Sequence, residues 1–251
     1  MIAAGSLEYA YARLSARYGN RPDEFAWRRI EMMREFGAML ETARASPLGA
    51  WLADIGPDTD AHGVERVLRA RLRERIAAIA AWMPPAWRAS IEWCAELVDL
   101  PVLQHLARGG APPSWLRDGP LAPAQRDGGP LRGAAGAASL LVAGTLDPDR
   151  LGALWRAEWG RRLPAGNGGS ELLADVIGLL ADHVTLFRQP SLVDGWALRR
   201  ALHARLSRLF RRAALDPAMA FIFLALSALD CERLRGEILR RVLFPRLPLA
   251  T

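Results

Sequence analysis

Lysine is absent from this chain of 251 residues, so all 33 of its basic positions are arginine. Amine nucleophiles and Schiff-base chemistry are thereby excluded, because a guanidinium stays protonated in proteins. Cysteine is nearly absent. Cys94 and Cys231 lie in apolar helical stretches, and neither has a neighbouring histidine or basic surround that would lower its pKa. The N-terminus (MIAAGSLEYAYAR) shows no basic n-region followed by an apolar h-region. Two buried free thiols and a cytoplasmic location are therefore expected. Long apolar runs are missing as well: Ala134 to Leu146 and Ala218 to Leu229 are too short to span a bilayer. The four histidines (His62, His105, His183 and His203) are dispersed without an HExxH or ExxH pair, and no serine sits in a GxSxG setting. Together these absences predict no catalytic residues, no cofactor, no metal and no small-molecule substrate.

Charge of one sign is what the chain has in excess, though less than its pI of 10.4 suggests. With no lysine and three tyrosines, little titrates between histidine and arginine, so a net charge of +6 drives the pI far upward. Placement says more than the total. From Gly195 to Thr251 there are 11 arginines against 4 acidic residues, whereas the rest of the chain has 22 against 23. The basic excess belongs to the C-terminal part.

Periodicity predicts helix nearly throughout. Apolar residues recur at three and four spacing in Leu7 to Arg17, Phe25 to Arg44, Val64 to Trp82 and Pro85 to Leu97. They do so again in Pro148 to Trp159, Ser170 to Phe187, Trp196 to Ala213 and Pro217 to Leu243. Asp147-Pro148, Asp216-Pro217, and Asp99 before Pro101 each offer an N-cap acceptor ahead of a proline that suits a first turn. Gly109 to Gly133 is crowded with Gly and Pro and reads as a linker; LPAGNGGS before Ser170 is a shorter break.

Two motifs have a plain reading and a chemical one. The acidic run DIGPDTDAH (Asp54, Asp58, Asp60, His62) could bind a hard cation through oxygen, but it lacks the glycine and terminal glutamate of a calcium loop. A capped turn opening the Val64 helix accounts for it. GNGGS before a helix mimics a phosphate cradle, yet no strand precedes it and the lysine such loops use is missing. Nine tryptophans serve either the core or the anchors of protein interfaces.

The helix carrying Arg199, Arg200, Arg205, Arg208, Arg211 and Arg212 has no acid between Gly195 and Leu215. It is either a solvated face or a docking surface, because guanidinium groups crowded on about four turns repel one another until an acidic partner approaches.

One pattern occurs twice, about 131 residues apart. VERVLRARLRERI leads to the helix begun by Pro85, then Asp99, Leu103, Leu106 and Arg108. VDGWALRRALHARLSRLF leads to Pro217, then Asp230, Leu234, Leu239 and Arg240. The expected fold is therefore all-α, with a repeated three-helix unit. Its expected parts are an N-terminal unit (1–108), a Pro/Gly-rich linker (109–133) and a C-terminal unit with the basic helix (134–251).

The stretches EYAYARLSAR, LETARASPLGAWL, VERVLRARL, LVDLPVLQHLARG and LALSALDCERLRGEILRRVLFPRLP resemble the stalk-to-ring adaptor family of V-type and A-type rotary ATPases, the C-type adaptors that are called d-type in eukaryotes. The resemblance implies an all-helical funnel of pseudo-symmetric three-helix units. It also implies a non-catalytic part that seats the central stalk on the membrane proteolipid ring, peripheral on the inner face of the membrane. Under it, the Arg199 to Arg212 helix meets an acidic stalk protein or ring loops, with Arg13 and Arg17 as further partner-binding candidates. The family's Asp-x-x-Asn-Leu-Lys pattern is not kept: Val102 and Gln104 stand in the first unit, and Arg233 and Arg235 in the second. The chain is also shorter than usual members, so a lobe of the funnel is expected to be reduced. The same arginine helix fits a second class, a nucleic-acid-binding protein that contacts phosphates.

Overall fold

The computed structural model describes residues 5–113, 140, 147–165, 170–189 and 194–244. Most of the expected linker and the glycines of GNGGS lie outside the described residues. Among the described residues there are ten α-helices, two 3₁₀ segments and no strand. The α-helices are α1 (Leu7–Gly19), α2 (Glu24–Met32), α3 (Phe36–Arg44), α4 (Ala61–Trp82), α5 (Pro85–Glu92) and α6 (Leu100–Ala107). They continue as α7 (Leu151–Arg161), α8 (Glu171–Phe187), α9 (Gly195–Arg212) and α10 (Ala218–Leu243). No helix is long and apolar enough among these to cross a membrane.

Side-chain caps fix most of the starts. Ser6, Asp23, Asp60, Ser170 and Asp194 each accept a hydrogen bond from the backbone N–H three residues on. Asp60 thus gives the acidic run its ordinary role, opening α4, while Asp54 pairs with Arg71. The Asp-Pro signals behave differently from one another. Asp216 accepts the Ala218 N–H at 2.8 Å, as an N-terminal acceptor should. Asp147 instead accepts from the Asp149 amide in a turn, and the helix begins only at Leu151. Asp99 makes no side-chain cap at all, because its carboxylate is taken by arginines of α4.

The expected single helix from Phe25 to Arg44 is two, broken at Met33 to Glu35 without glycine or proline. The cause lies far along the chain. Arg241 of α10, nearly fully buried, donates to the carbonyls of Ile30, Glu31 and Met33, satisfying the orphan acceptors at the end of α2. A cation at a helix C-terminus also meets the favourable end of the helix dipole.

Two long antiparallel helices form the spine. The first half of α10 packs with the second half of α4, and the second half of α10 with the first half of α4, so each helix serves two apolar clusters. One cluster gathers Ala10, Ile79, Ile91, Trp93, Trp159, Leu206, Phe210 and Ile222. The other gathers Trp27, Met39, Trp51, Val64, Leu68, Leu234 and Ile238. Both mix residues from before and after the expected linker. Every residue from Ala218 to Leu224 is buried, which is why α10 begins hydrophobic on all sides. Removing a side chain there, as in Ile222→Ala, leaves a cavity worth about 2–5 kcal/mol.

A polar layer crosses the spine between the clusters. Asp230, buried in the middle of α10, receives two hydrogen bonds from Arg21, at 2.8 and 2.9 Å. The same guanidinium donates to His203 Nε2 of α9 at 2.8 Å, which makes that nitrogen the acceptor, since arginine has no lone pair to offer. Burial raises the Asp230 pKa, and Arg21, Arg75 and Arg233 pull against that rise.

The two matched stretches differ in shape and agree in one detail. In the first, the chain after α4 is cut into α5, a 3₁₀ segment (Trp93–Val98) and α6; in the second, α10 runs unbroken through Asp230. Pro101, two residues after Asp99, has no counterpart after Asp230, so nothing stops the helix there. Both aspartates, however, are buried and held by arginine: Asp99 by Arg73 at 2.5 Å and Arg69 at 3.6 Å, Asp230 by Arg21.

Candidate functional site

The six arginines of α9 do not share one environment. Leu202, Leu206 and Phe210 face the core at four-residue spacing, which turns Arg205, Arg208 and Arg212 outward. Arg199 falls on the inner side and is half-buried, its guanidinium over the rings of Phe187 at 4.5 Å and Trp196 at 5.0 Å. Arg200 reaches Asp194 at 3.5 Å, and both partners are well exposed. Arg212 lines an open cleft with Glu171, Asp175 and Asp216. Arg205 and Arg208 are exposed and make no ion pair or hydrogen bond among the described residues.

An aromatic stack ties α1, which carries Arg13 and Arg17, to α9. Tyr18 stacks on Phe210 with ring centroids 4.3 Å apart, fixing the end of α1 against the end of α9. Arg211 then lies 3.4 Å from the Tyr18 hydroxyl. Arg13 and Arg17 are exposed and rest over the Trp82 ring, at 5.0 and 5.9 Å. A ring face steadies a guanidinium without neutralising it. Arg13 and Arg17 on α1, and Arg205, Arg208 and Arg211 on α9, are exposed, and none of them is paired with a carboxylate among the described residues.

The arginines of α10 are spent inside the molecule. Arg233 holds Glu24 and Glu31 at 3.0 and 2.7 Å and lies over Trp27; Arg235 holds Glu65 at 2.5 Å; Arg240 and Arg241 hold Glu237. Burial alone would raise the Glu65 pKa, but hydrogen bonds and charge from Arg235 and Arg69 outweigh it and hold the carboxyl below its ordinary value. The i, i+4 pair Glu237–Arg241 was visible as a spacing. Glu24–Arg233, separated by 209 positions, left no signal in the sequence.

Other chemistry is poorly served. Both cysteines are free and buried, and burial pushes each thiol up to about 12, so neither is a thiolate at neutral pH. His203 is lowered to about 4 by burial and by Arg21 and Arg233, so at neutral pH it accepts from Arg21 and carries no charge. The cleft beside Arg212, of about 350 Å³, is open, and Asp216 in its wall already serves Ser170 and the Ala218 amide. Of the tryptophans, Trp27, Trp51, Trp93 and Trp159 are core, and Trp93 and Trp155 each donate an indole N–H to the other's carbonyl, tying the segment before α6 to α7.

Exposed guanidinium groups on rigid helices suit bidentate recognition of carboxylate or phosphate. No protein-family model, curated protein or solved structure matches the chain.

Proposed function

We propose that the chain is a non-catalytic adaptor of a V/A-type rotary ATPase, placed between the central stalk and the proteolipid ring on the inner face of the membrane. The observation that carries this reading is the set of exposed arginines without a carboxylate partner among the described residues, Arg205, Arg208 and Arg211 on α9 with Arg13 and Arg17 on α1. Their charge is not met by a carboxylate among the described residues, and the Tyr18–Phe210 stack ties the end of α1 to the end of α9. An acidic stalk protein or acidic ring loops would be their complement. Transmitting torque demands little internal give, and the cross-chain ion pairs of Arg21 and Arg233, with the hydrogen bonds of Arg241 to the carbonyls ending α2, supply stiffness of that kind.

The finer reading of the fold, two copies of a three-helix unit arranged as a funnel, belongs to the same proposal. It is supported by the matched spacing and by a buried, arginine-held aspartate at the same place in each stretch. The unbroken α10 is where the copies diverge.

Pull-down of the tagged chain from its native source, with identification of what comes with it, tests the assignment. Recovery of stalk and ring proteins is expected; their absence from a complete inner-membrane extract contradicts it. The exposed Arg205–Arg208 pair also favours a second reading, phosphate contact with nucleic acid. That reading requires a gel shift with generic DNA or RNA that weakens steeply between low and high salt.

A further inference from the structure

The end of α8 has the wrong composition for its surroundings. From Ala181 to Gln189 every residue except His183 is exposed, so the last two turns of the helix project from the body of the molecule. A projecting helix end should be polar on all sides. This one carries Val184, Leu186 and Phe187, which are 36–47% exposed.

Trp196, at the start of α9, extends the same surface. Phe187 lies so close to the α9 start that a Cβ built on Gly195 would sit 3.2 Å from its ring. Trp196 is 39% exposed and leans over Gly236 of α10, where a Cβ would come within 3.1 Å of the indole. Arg199 stacks over both rings, and Arg188 and Arg200 are exposed beside them. Asp182 and Asp194 are the nearby acids in the sequence, and Asp194 is engaged with Arg200.

We propose that this α8–α9 tip is a membrane-surface contact: Val184, Leu186, Phe187 and Trp196 enter the headgroup region of an anionic lipid surface while Arg188, Arg199 and Arg200 meet its phosphates. Aliphatic and aromatic side chains ringed by arginine match the layered polarity of a bilayer interface, where an indole rests at headgroup depth and guanidinium groups bind phosphate. A projecting tip is also a poor surface for self-pairing, which needs a self-complementary patch. The cleft beside Arg212 gives a second copy no receptor for it, because three carboxylates wall that cleft.

The contact does not depend on the rotary assignment, and the two fail separately: vesicle binding is measured with the purified chain alone, recovery of stalk and ring proteins in the native extract. The experiment is flotation of the full chain with phosphatidylcholine vesicles, with and without phosphatidylglycerol, and with brominated lipid as a fluorescence quencher. The chain is expected to float with the phosphatidylglycerol vesicles and to be quenched, and Trp196→Phe should remove most of that quenching. Val184→Ser/Leu186→Ser should reduce the bound fraction about tenfold or more, since two apolar side chains lose their burial. Both positions are exposed, so helicity and melting of the variant should match the wild type. Arg205→Glu/Arg208→Glu, on the other face, should leave tip-dependent quenching in place. Flotation unchanged by the serine pair, binding lost only on reversal of Arg205 and Arg208, or concentration-dependent dimerisation without flotation would each overturn the proposal.

Discussion

α9 and α10 follow one another in the chain, both are rich in arginine, and together they hold most of the molecule's basic excess, yet they use it in opposite ways. Arg233, Arg235, Arg240 and Arg241 of α10 each hold a carboxylate, and Arg241 also satisfies the end of α2. Arg205 and Arg208 of α9 hold nothing among the described residues, and Arg211 meets only the Tyr18 hydroxyl. By count, α9 carries six arginines and no acid, whereas α10 carries four arginines and three acids. Pairing separates a helix whose arginines close the fold from one whose arginines are left for something else.

The sharpest way to break this contrast is to remove an interior cation. Arg241→Met should destabilise the protein by about 3–5 kcal/mol, since it leaves the carbonyls of Ile30, Glu31 and Met33 without their donor in a partly buried place, while Glu237 keeps Arg240. Chemical denaturation measures it, and a loss under about 1 kcal/mol would show that the α2 end finds water instead. Asp230→Ala should cost about as much, because Arg21 keeps its charge with only His203 and the Leu226 carbonyl left as acceptors. Asp99→Ala should cost less, about 2 kcal/mol, because Arg69 retains Glu65 and the Val98 carbonyl, while Arg73, the closer partner, is 23% exposed and can turn to water.

Acid tests the same layer. His203 has a folded pKa lowered to about 4, whereas unfolded histidine titrates near 6.5. As pH falls through that interval the unfolded chain binds the proton first, so this group's contribution is complete above about 6.5 and lost towards about 4. Melts across the interval should show falling stability. His203→Gln, which keeps an acceptor for Arg21, should flatten that slope.

Smaller effects are expected outside the core. Leu215 has φ of 58°, a left-handed backbone that costs a non-glycine residue about 1 kcal/mol, so Leu215→Gly should stabilise by up to that amount. Arg208→Gln should change stability by at most about 0.5 kcal/mol, upward if anything, because it relieves repulsion with Arg205 and Arg212 at three- and four-residue spacing.

Much of the helical layout was legible in the sequence, and the reasons are local. The apolar period marked the helices, including the inward stripe Leu202, Leu206, Phe210, and Asp60 opens α4 as its capped turn suggested, whereas of the three Asp-Pro signals only Asp216 meets the start of its helix. What stayed hidden depends on distant side chains. The break after Met32 is explained by Arg241, and the placing of Arg13 and Arg17 by Trp82. Within the candidate site the arginines could be named from the sequence but not ranked. Arg199 is stacked inward and Arg200 has a carboxylate, while Arg205 and Arg208 remain open.

The central claim is that the open arginines of α9 dock an acidic partner while the paired ones of α10 hold the fold. Its most direct test is Arg205→Glu/Arg208→Glu in the native source, scored by recovery of stalk and ring proteins beside a melting curve of the purified variant. The account predicts recovery reduced about tenfold or more with the melting curve unchanged, since exposed unpaired charges matter to a partner and not to the core. Full recovery of those proteins with an equally stable variant would contradict it.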